Sequence, residues 1–330
     1  MKNQPKPNQN GQNKTFFYLL LGFIVFFILC FILIIVSIHH VVKSAGGSSH
    51  SSFLAGSDEI DLIEIDGPIY QSDDIVRKIR HFKKGDQKAL IIRLNSPGGA
   101  VAPSQEIYSE ILSARQENKK IVVASMSSLA ASGAYYIAAA CDKIVANPGT
   151  LTGSIGVIAE FPEASGLLKK VGVDFQTIKS GKFKDTGSFS RPMNIEERAY
   201  LQDTVNDVFR QFLDAVVAGR SQPVKDLLAK RLKLKADKIT DKQVENFILP
   251  YADGRALTGH RAFELGLVDQ LGNYDDAVKL TASLAGIKGE PDVRSDRSGK
   301  FDQLLNNILP FSLASQLKQS SSFQLEYRAF

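Results

Sequence analysis

From Glu59 onward the chain switches repeatedly between two hydrophobic periods. EIDLIEID (59–66) alternates apolar and polar residues as a half-buried strand does, and DDIVRKIRHF (73–82) repeats its apolar residues at helical spacing. ALIIRL is a continuous apolar run of strand length, SQEIYSEILSARQ has the helical period, and KIVVASM is a second buried strand. Helix AASGAYYIAAA, strands DKIVA and SIGVIAE, helix ASGLLKKVG and strand VDFQTIK follow. Strands alternating with helices predict an α/β domain whose parallel strands are covered on both faces.

Beyond Lys184 the pattern turns helical. NIEERAYLQDTVNDVFRQFLDAVVAGR predicts one long amphipathic helix, with Asn194 as its N-cap and Gly219 near its end. Shorter helices are expected at PVKDLLAKRL, DKQVENFI, GHRAFELGL and DDAVKLTASLAG, and FDQLLNNILPFSLASQL is a helix candidate in a mixed C-terminal stretch.

The front of the chain departs from this rhythm. Phe16 to Ile38 carry no charged residue, and at ~1.5 Å rise per residue the run matches the ~30 Å hydrocarbon core of a bilayer. A cleavable signal peptide has an apolar stretch of only ~7–15 residues, so a retained transmembrane helix is expected. Lys2, Lys6 and Lys14 precede it and only Lys43 follows, which orients the N-terminus to the cytoplasm and the bulk of the chain outside. KSAGGSSHSSFLAGS reads as a flexible Ser/Gly-rich linker.

Those four lysines supply most of the formal net charge of +5, in a leader without a single acid. The remainder is close to neutral and lacks the footprint of a nucleic-acid binder. Cys30 and Cys141 make no disulfide framework and read as buried thiols, and no Cys/His cluster has metal-ligand spacing, so neither metal nor cofactor is expected.

Three loops could make a site. NSPGG, Asn95–Gly99, leaves the strand ALIIRL, and its glycines let backbone N–H groups point outward as an oxyanion hole requires, although a tight turn explains them as well. Ser132 lies among small residues at a helix start, where a nucleophile or an ordinary N-cap would both fit, and the cap is the commoner use. In QTIKSGKFKDTGS (176–188), Lys182 and Lys184 follow Ser180-Gly181. A buried lysine can lose its charge and accept a serine's proton, and periodicity does not choose between these two. The five histidines, His39, His40, His50, His81 and His260, all lie away from Ser132 in sequence.

Taken in order, NSPGG, SxxAASGxYY, TLTGSIGV and IKSGxxKD resemble the signal peptide peptidase A (protease IV) family of membrane-anchored serine proteases. The later DGRALTGHRAFELGLVDQLG extends the resemblance, which runs from about Glu59 to Tyr274. It implies Ser132 as nucleophile, Lys184 as general base, Ser154 as the serine orienting that lysine, and the N–H groups of Gly99 and Gly133 as oxyanion donors. It also implies the Clp protease/crotonase-like spiral of ββα units, with a helical C-terminal part. The expected assembly is a dome-shaped homo-oligomer, an octamer, in which neighbouring subunits contribute residues near the dyad. Substrates would be cleaved signal peptides and similar apolar segments at the outer face of the cytoplasmic membrane. The segments then read as a cytoplasmic tail (1–15), a transmembrane helix (16–38), a linker (39–58), a protease domain (59–287) and a C-terminal tail (288–330). One departure is Ala134, where the family usually has a second glycine.

Two rivals remain open. A crotonase-type acyl-CoA enzyme would share the fold but needs a carboxylate, for which Glu160 is the candidate, and leaves Ser132 with Lys184 unexplained. A non-catalytic membrane scaffold of the same fold would have lost the serine or the lysine, and both are present.

Overall fold

The structure is a computed structural model describing residues 59–295 and the backbone of 326–328. The transmembrane, linker and C-terminal helix expectations, and Cys30, lie outside the described residues. No helix among the described residues is long and apolar enough to cross a membrane.

The apolar runs become the centre of a sheet. β1 (Glu59–Asp66) pairs in parallel with β2 (Ala89–Ser96), and β2 with β4 (Ile121–Ala131). β4 is long enough for its first half to pair with β5 (Lys143–Ala146) and its second half with β6 (Leu151–Gly153). β9 (Asp292–Ser295) joins β1 in parallel, from within the stretch read as the C-terminal tail. β8 (Gln270–Leu271) adds to β5, and β7 (Ala256–Thr258) pairs with β6 antiparallel, the one antiparallel pair of this eight-stranded sheet among the described residues.

Alternate residues of the central strands serve different layers, as the two-residue period of a strand requires. Leu90, Ile92 and Leu94 pack in one cluster with Val76, Ile79 and Phe82 of α1 (Asp73–Lys84) and Ile107 and Ile111 of α2 (Val101–Gln116). Ala89 and Ile91 pack on the other side with Ala282 of α8, the helix Tyr274–Ala285. Each fully buried Leu or Ile here contributes ~1.5–3 kcal/mol relative to exposure. The expected two-faced α/β core is therefore present.

The remaining elements differ from expectation in three places. AASGAYYIAAA is split: Ala130 and Ala131 finish β4, and α3 is Gly133–Ala139. SIGVIAE is not a strand; the chain pairs one step earlier, through Leu151–Gly153. VDFQTIK, after the short α4 (Ser165–Lys170), belongs to no sheet and is exposed; among the described residues no strand pairs with it. Gly219 does not end the long helix either. α5 runs Ile195–Leu232, straight through Gly219 and Pro223, so PVKDLLAKRL is its last part. A Cβ at residue 219 would lie 2.0 Å from the carbonyl oxygen of Ala139, so this glycine lets α5 press against the end of α3. The helix stops instead at Lys233, in the left-handed conformation. α6 (Asp241–Ile248) and α7 (Gly259–Glu264) follow as expected.

A buried ion pair fastens α5 to the sheet. Arg220 Nη1 meets Asp269 Oδ2 at 2.8 Å, and the same carboxylate oxygen accepts from the N–H of Ile144. Arg220 also donates to the Gly266 carbonyl, so neither charge is left unsatisfied.

Candidate active site

The pairing of β2, β4 and β6 decides which loops meet. Ser96 stands opposite Ala130, and Ala131 opposite Gly153, so the ends of all three strands lie side by side. This puts the NSPGG loop on one flank of Ser132 and Ser154 on the other, at the carboxyl ends of parallel strands, where α/β sheets collect their sites.

Ser132 occupies the corner between β4 and α3. Its N–H donates to the Gly153 carbonyl at 2.8 Å, and its own carbonyl accepts from Tyr136 N–H at 2.8 Å. Between these ties the backbone is forced to φ 55°, ψ −119°, a conformation that a residue with a Cβ rarely adopts. An N-cap serine has an extended backbone and bonds its hydroxyl to the helix; Ser132 does neither. The side chain is fully buried, and its Oγ has no hydrogen-bond partner among the described residues. The N-cap explanation, favoured by the local sequence alone, does not hold here.

Gly98 and Gly99 form β3 (Gly98–Ala100), the short strand after the turn. Gly98 has φ 96°, open to glycine at little cost. A Cβ at Gly99 would lie 2.2 Å from the carbonyl oxygen of Ile69, whose backbone brackets β3 through Ile69 N–H to Gly98 O and Ala100 N–H to Ile69 O. On its far edge β3 pairs antiparallel with β10 (Glu326–Arg328), with Tyr327 opposite Gly99. Gly133 begins α3, directly after Ser132.

Ser154, also at positive φ, donates its hydroxyl to the Gly254 carbonyl at 3.0 Å, not to a lysine. Beside it opens a cavity of about 730 Å³, lined among others by Val157, Ile158, Glu160, Val205 and Phe209. Glu160, the carboxylate a crotonase reading would use, is exposed.

The lysines lie on a different kind of scaffold. Residues 180–188 are successive turns, with Lys184 N–H donating to Gly181 O and Thr186 N–H to Phe183 O. Lys182 pairs with Glu196 at 3.2 Å and lies over the Phe183 ring. Lys184 is exposed, and among the described residues its amine does not bond to Ser132, whose Oγ has no partner there. The structure thus gathers Gly99, Ser132, Gly133 and Ser154, and leaves Lys184 outside that group. His81 and His260 are exposed, and neither bonds to Ser132. Cys141 is buried and its thiol is pushed up by burial, which makes it an inert apolar filler.

A charged group next to Lys184 reaches beyond the three loops singled out from the sequence. Asp185, Arg191 and Glu197 form a chain of ion pairs that ends in the capping box of α5, where Asn194 Oδ1 accepts from Glu197 N–H and Glu197 Oε2 from Asn194 N–H. The N-x-x-E spacing of Asn194 and Glu197 was the available signal.

The chain matches the model of peptidase family S49 over residues 114–244 and 235–288. It is 41% identical to a Synechocystis protein provisionally assigned as a protease, over 70% of this chain and 75% of that one. To protease 4 of Salmonella typhi it is 35% identical over 67% of its length, and to the chloroplastic serine protease SPPA of Arabidopsis thaliana 34% identical over 66%. It spans only 32% and 29% of those two longer relatives. Among solved structures it has a distant likeness, at TM-score 0.44 and 17% identity, to a membrane-bound stomatin-specific protease bound to a substrate peptide; the match covers 77% of this chain and 99% of that one. With a family match over most of the α/β domain and a relative this similar over most of its length, the chain belongs to peptidase family S49.

Proposed function

We propose that the chain is a membrane-anchored serine endopeptidase in which Ser132 is the nucleophile and Lys184 of a neighbouring copy is the general base. One observation carries this reading: Ser132 combines a strained backbone with a buried hydroxyl that has no hydrogen-bond partner among the described residues. Strain of this kind costs ~1–3 kcal/mol and gathers where a side chain must be aimed at chemistry. An exposed lysine is charged and a poor base, so Lys184 needs burial from elsewhere. The segment carrying it also exposes Val173, Phe175 and Ile178, the last of them 101% exposed. Docking that apolar surface against a second copy would bury the amine, which supports the closed homo-oligomer, a dome-shaped octamer, implied by the resemblance. Clp protease/crotonase-like ββα units suit such an assembly.

The chemistry follows. A neutral Lys184 amine takes the proton from Ser132 Oγ as the oxygen attacks a peptide carbonyl. The N–H groups of Gly99 and Gly133 hold the developing oxyanion. The lysine returns the proton to the leaving amine, and an acyl-enzyme remains on Ser132. Water, losing its proton to the lysine, then releases the acid. Ser154 steadies the incoming lysine. A substrate main chain adds to β3 as an antiparallel strand, the arrangement residues 326–328 already adopt there. Ala130, Ala131 and the apolar walls of the cavity beside Ser154 favour small and aliphatic side chains, which fits cleaved signal peptides. Residues 16–38 would hold the site at the outer face of the cytoplasmic membrane, beside those substrates.

The test is cleavage of a fluorogenic apolar peptide by the full chain, Ser132→Ala and Lys184→Ala. Both variants should be inactive, and only the wild type should be labelled at Ser132 by a serine-directed acylating probe. Because the active form of the base is the neutral amine, the wild-type rate should climb toward alkaline pH through one ionisation. A rate that is flat from neutral to alkaline pH would contradict the lysine's role.

A further inference from the structure

A base on a loop without helix or strand still has to arrive in one place. The two residues flanking Lys184 are each tied to α5. On one side, the Phe183 ring stacks on Tyr200 of α5, centroids 5.3 Å apart. On the other, Asp185 is held twice by one arginine: Arg191 Nε donates to Asp185 Oδ2 at 2.9 Å, and Arg191 Nη2 donates to the Asp185 carbonyl at 3.2 Å. Lys179 donates to the remaining carboxylate oxygen of Asp185.

Arg191 is fixed in turn. Its Nη1 donates to Glu197 Oε2 at 2.9 Å and its Nη2 to Oε1 at 2.5 Å, a two-pronged pair whose planar geometry fixes direction as well as distance. Glu197 is 1% exposed, in the first turn of α5, and its carboxylate also accepts from Asn194 N–H. The charged groups facing this cluster are Lys179 on the preceding segment, Asp185 within the turns, Arg191 after them and Glu197 on α5; Lys182 is engaged with Glu196 instead.

We infer that Asp185, Arg191 and Glu197 are positioning residues that hold Lys184 on the end of α5 for delivery to Ser132. This rests on Lys184 being the base. A buried acid in a helix capping box is the rigid end, Asp185 is the working end, and the lysine is the next residue along the chain. The arginine holds Asp185 and Glu197 below the usual carboxylate range, Glu197 at about 2. Depressed carboxylates keep the clamp charged above that range and lose it only as pH falls through those low values. The clamp is therefore unchanged over the neutral-to-alkaline range where the rate should respond to the lysine.

The experiment uses the full chain in detergent, as wild type, Arg191→Ala, Arg191→Lys, Asp185→Asn and Lys184→Ala, and reads kcat, KM, the pH profile and oligomeric state. For Arg191→Ala the expected result is a kcat loss of about 100-fold, the cost of a reacting group displaced by ~1 Å, with KM nearly unchanged. The pH at which kcat/KM is half-maximal should also rise, because a loosely held lysine spends more time in water. Arg191→Lys, which keeps the charge but not the fork, should recover part of kcat. Loss of folded or assembled protein would lower the rate without moving that midpoint, so a reduced kcat with an unmoved midpoint overturns the inference. If Arg191→Ala does not fold, Asp185→Asn, of nearly equal size, decides by the same two readings. An active Lys184→Ala overturns the base assignment and the clamp's role with it. An inactive Lys184→Ala beside unchanged kcat and midpoint in Arg191→Ala and Asp185→Asn overturns the clamp alone.

Discussion

The corner at Ser132 and the segment 158–189 are built in opposite ways. Ser132 sits at the end of the central strand, buried, with both backbone polar groups bonded and one residue carrying the strain. The segment 158–189 holds one short helix, an unpaired exposed stretch with apolar residues, and the turns carrying Lys184, which ion pairs and a ring stack steady instead of a sheet. Ser132 is thus fixed by the sheet, whereas Lys184 stands exposed on turns. Under the proposed function, the first would be the nucleophile and the second a base presented to a neighbouring copy. Strain at Ser132 is affordable because the surrounding sheet is stable; a protruding loop has no such reserve and uses specific polar contacts.

The comparison breaks most sharply at Ser132. Ser132→Ala and Ser132→Gly should each lower peptide hydrolysis by roughly 10⁴-fold or more, as loss of a nucleophile does. Glycine accepts the φ of 55° that alanine does not, so Ser132→Gly should unfold later than Ser132→Ala by about 1 kcal/mol. Calorimetry on the two variants reads this directly, and equal stabilities would mean the corner is unstrained.

Gly99→Ala should be the most destabilising of these changes. Its Cβ would overlap the Ile69 backbone, which cannot rotate away, so a loss of about 2–4 kcal/mol in chemical denaturation is expected, with activity lost alongside. Ile178→Asp tests the other region. The residue touches little in its own chain, so stability should change by no more than ~0.5 kcal/mol, whereas light scattering should show a smaller assembly and hydrolysis should fall with it. Full activity in a dissociated Ile178→Asp would remove the reason for that apolar surface. The smallest effect belongs to Ala134→Gly, which restores the residue usual in the resembling family. It should cost about 0.5–1 kcal/mol in α3 and leave Ser132 reactive toward the acylating probe.

Much of this was legible in the sequence, and the failures have physical causes. ALIIRL and KIVVASM read as buried parallel strands because every residue of such a strand meets a covering layer. VDFQTIK also reads as a strand, yet strand formation needs a neighbour, and none pairs with it among the described residues. Gly219 reads as a helix stop because glycine usually is one; here it marks the close contact of α5 with Ala139, which no local window contains. The structure brings the loops of Gly99, Ser132 and Ser154 beside one another, because the strands they end are paired in register. The motifs did not reveal that Lys184 stands exposed, because burial depends on tertiary packing that a local motif does not contain. The Asp185–Arg191–Glu197 chain was only partly legible for a related reason: the N-x-x-E spacing signals the helix cap alone, and only the turns bring the other charges to it.

The central claim, that two copies supply one dyad, can be tested by mixing. Ser132→Ala and Lys184→Ala, each inactive alone, are dissociated, combined in equal amounts and allowed to reassemble. If serine and lysine come from different copies, random assembly leaves about a quarter of the sites with both residues intact, and hydrolysis should return to about that fraction of wild type. If the mixture reassembles to the wild-type size and stays inactive, the dyad is not shared between copies.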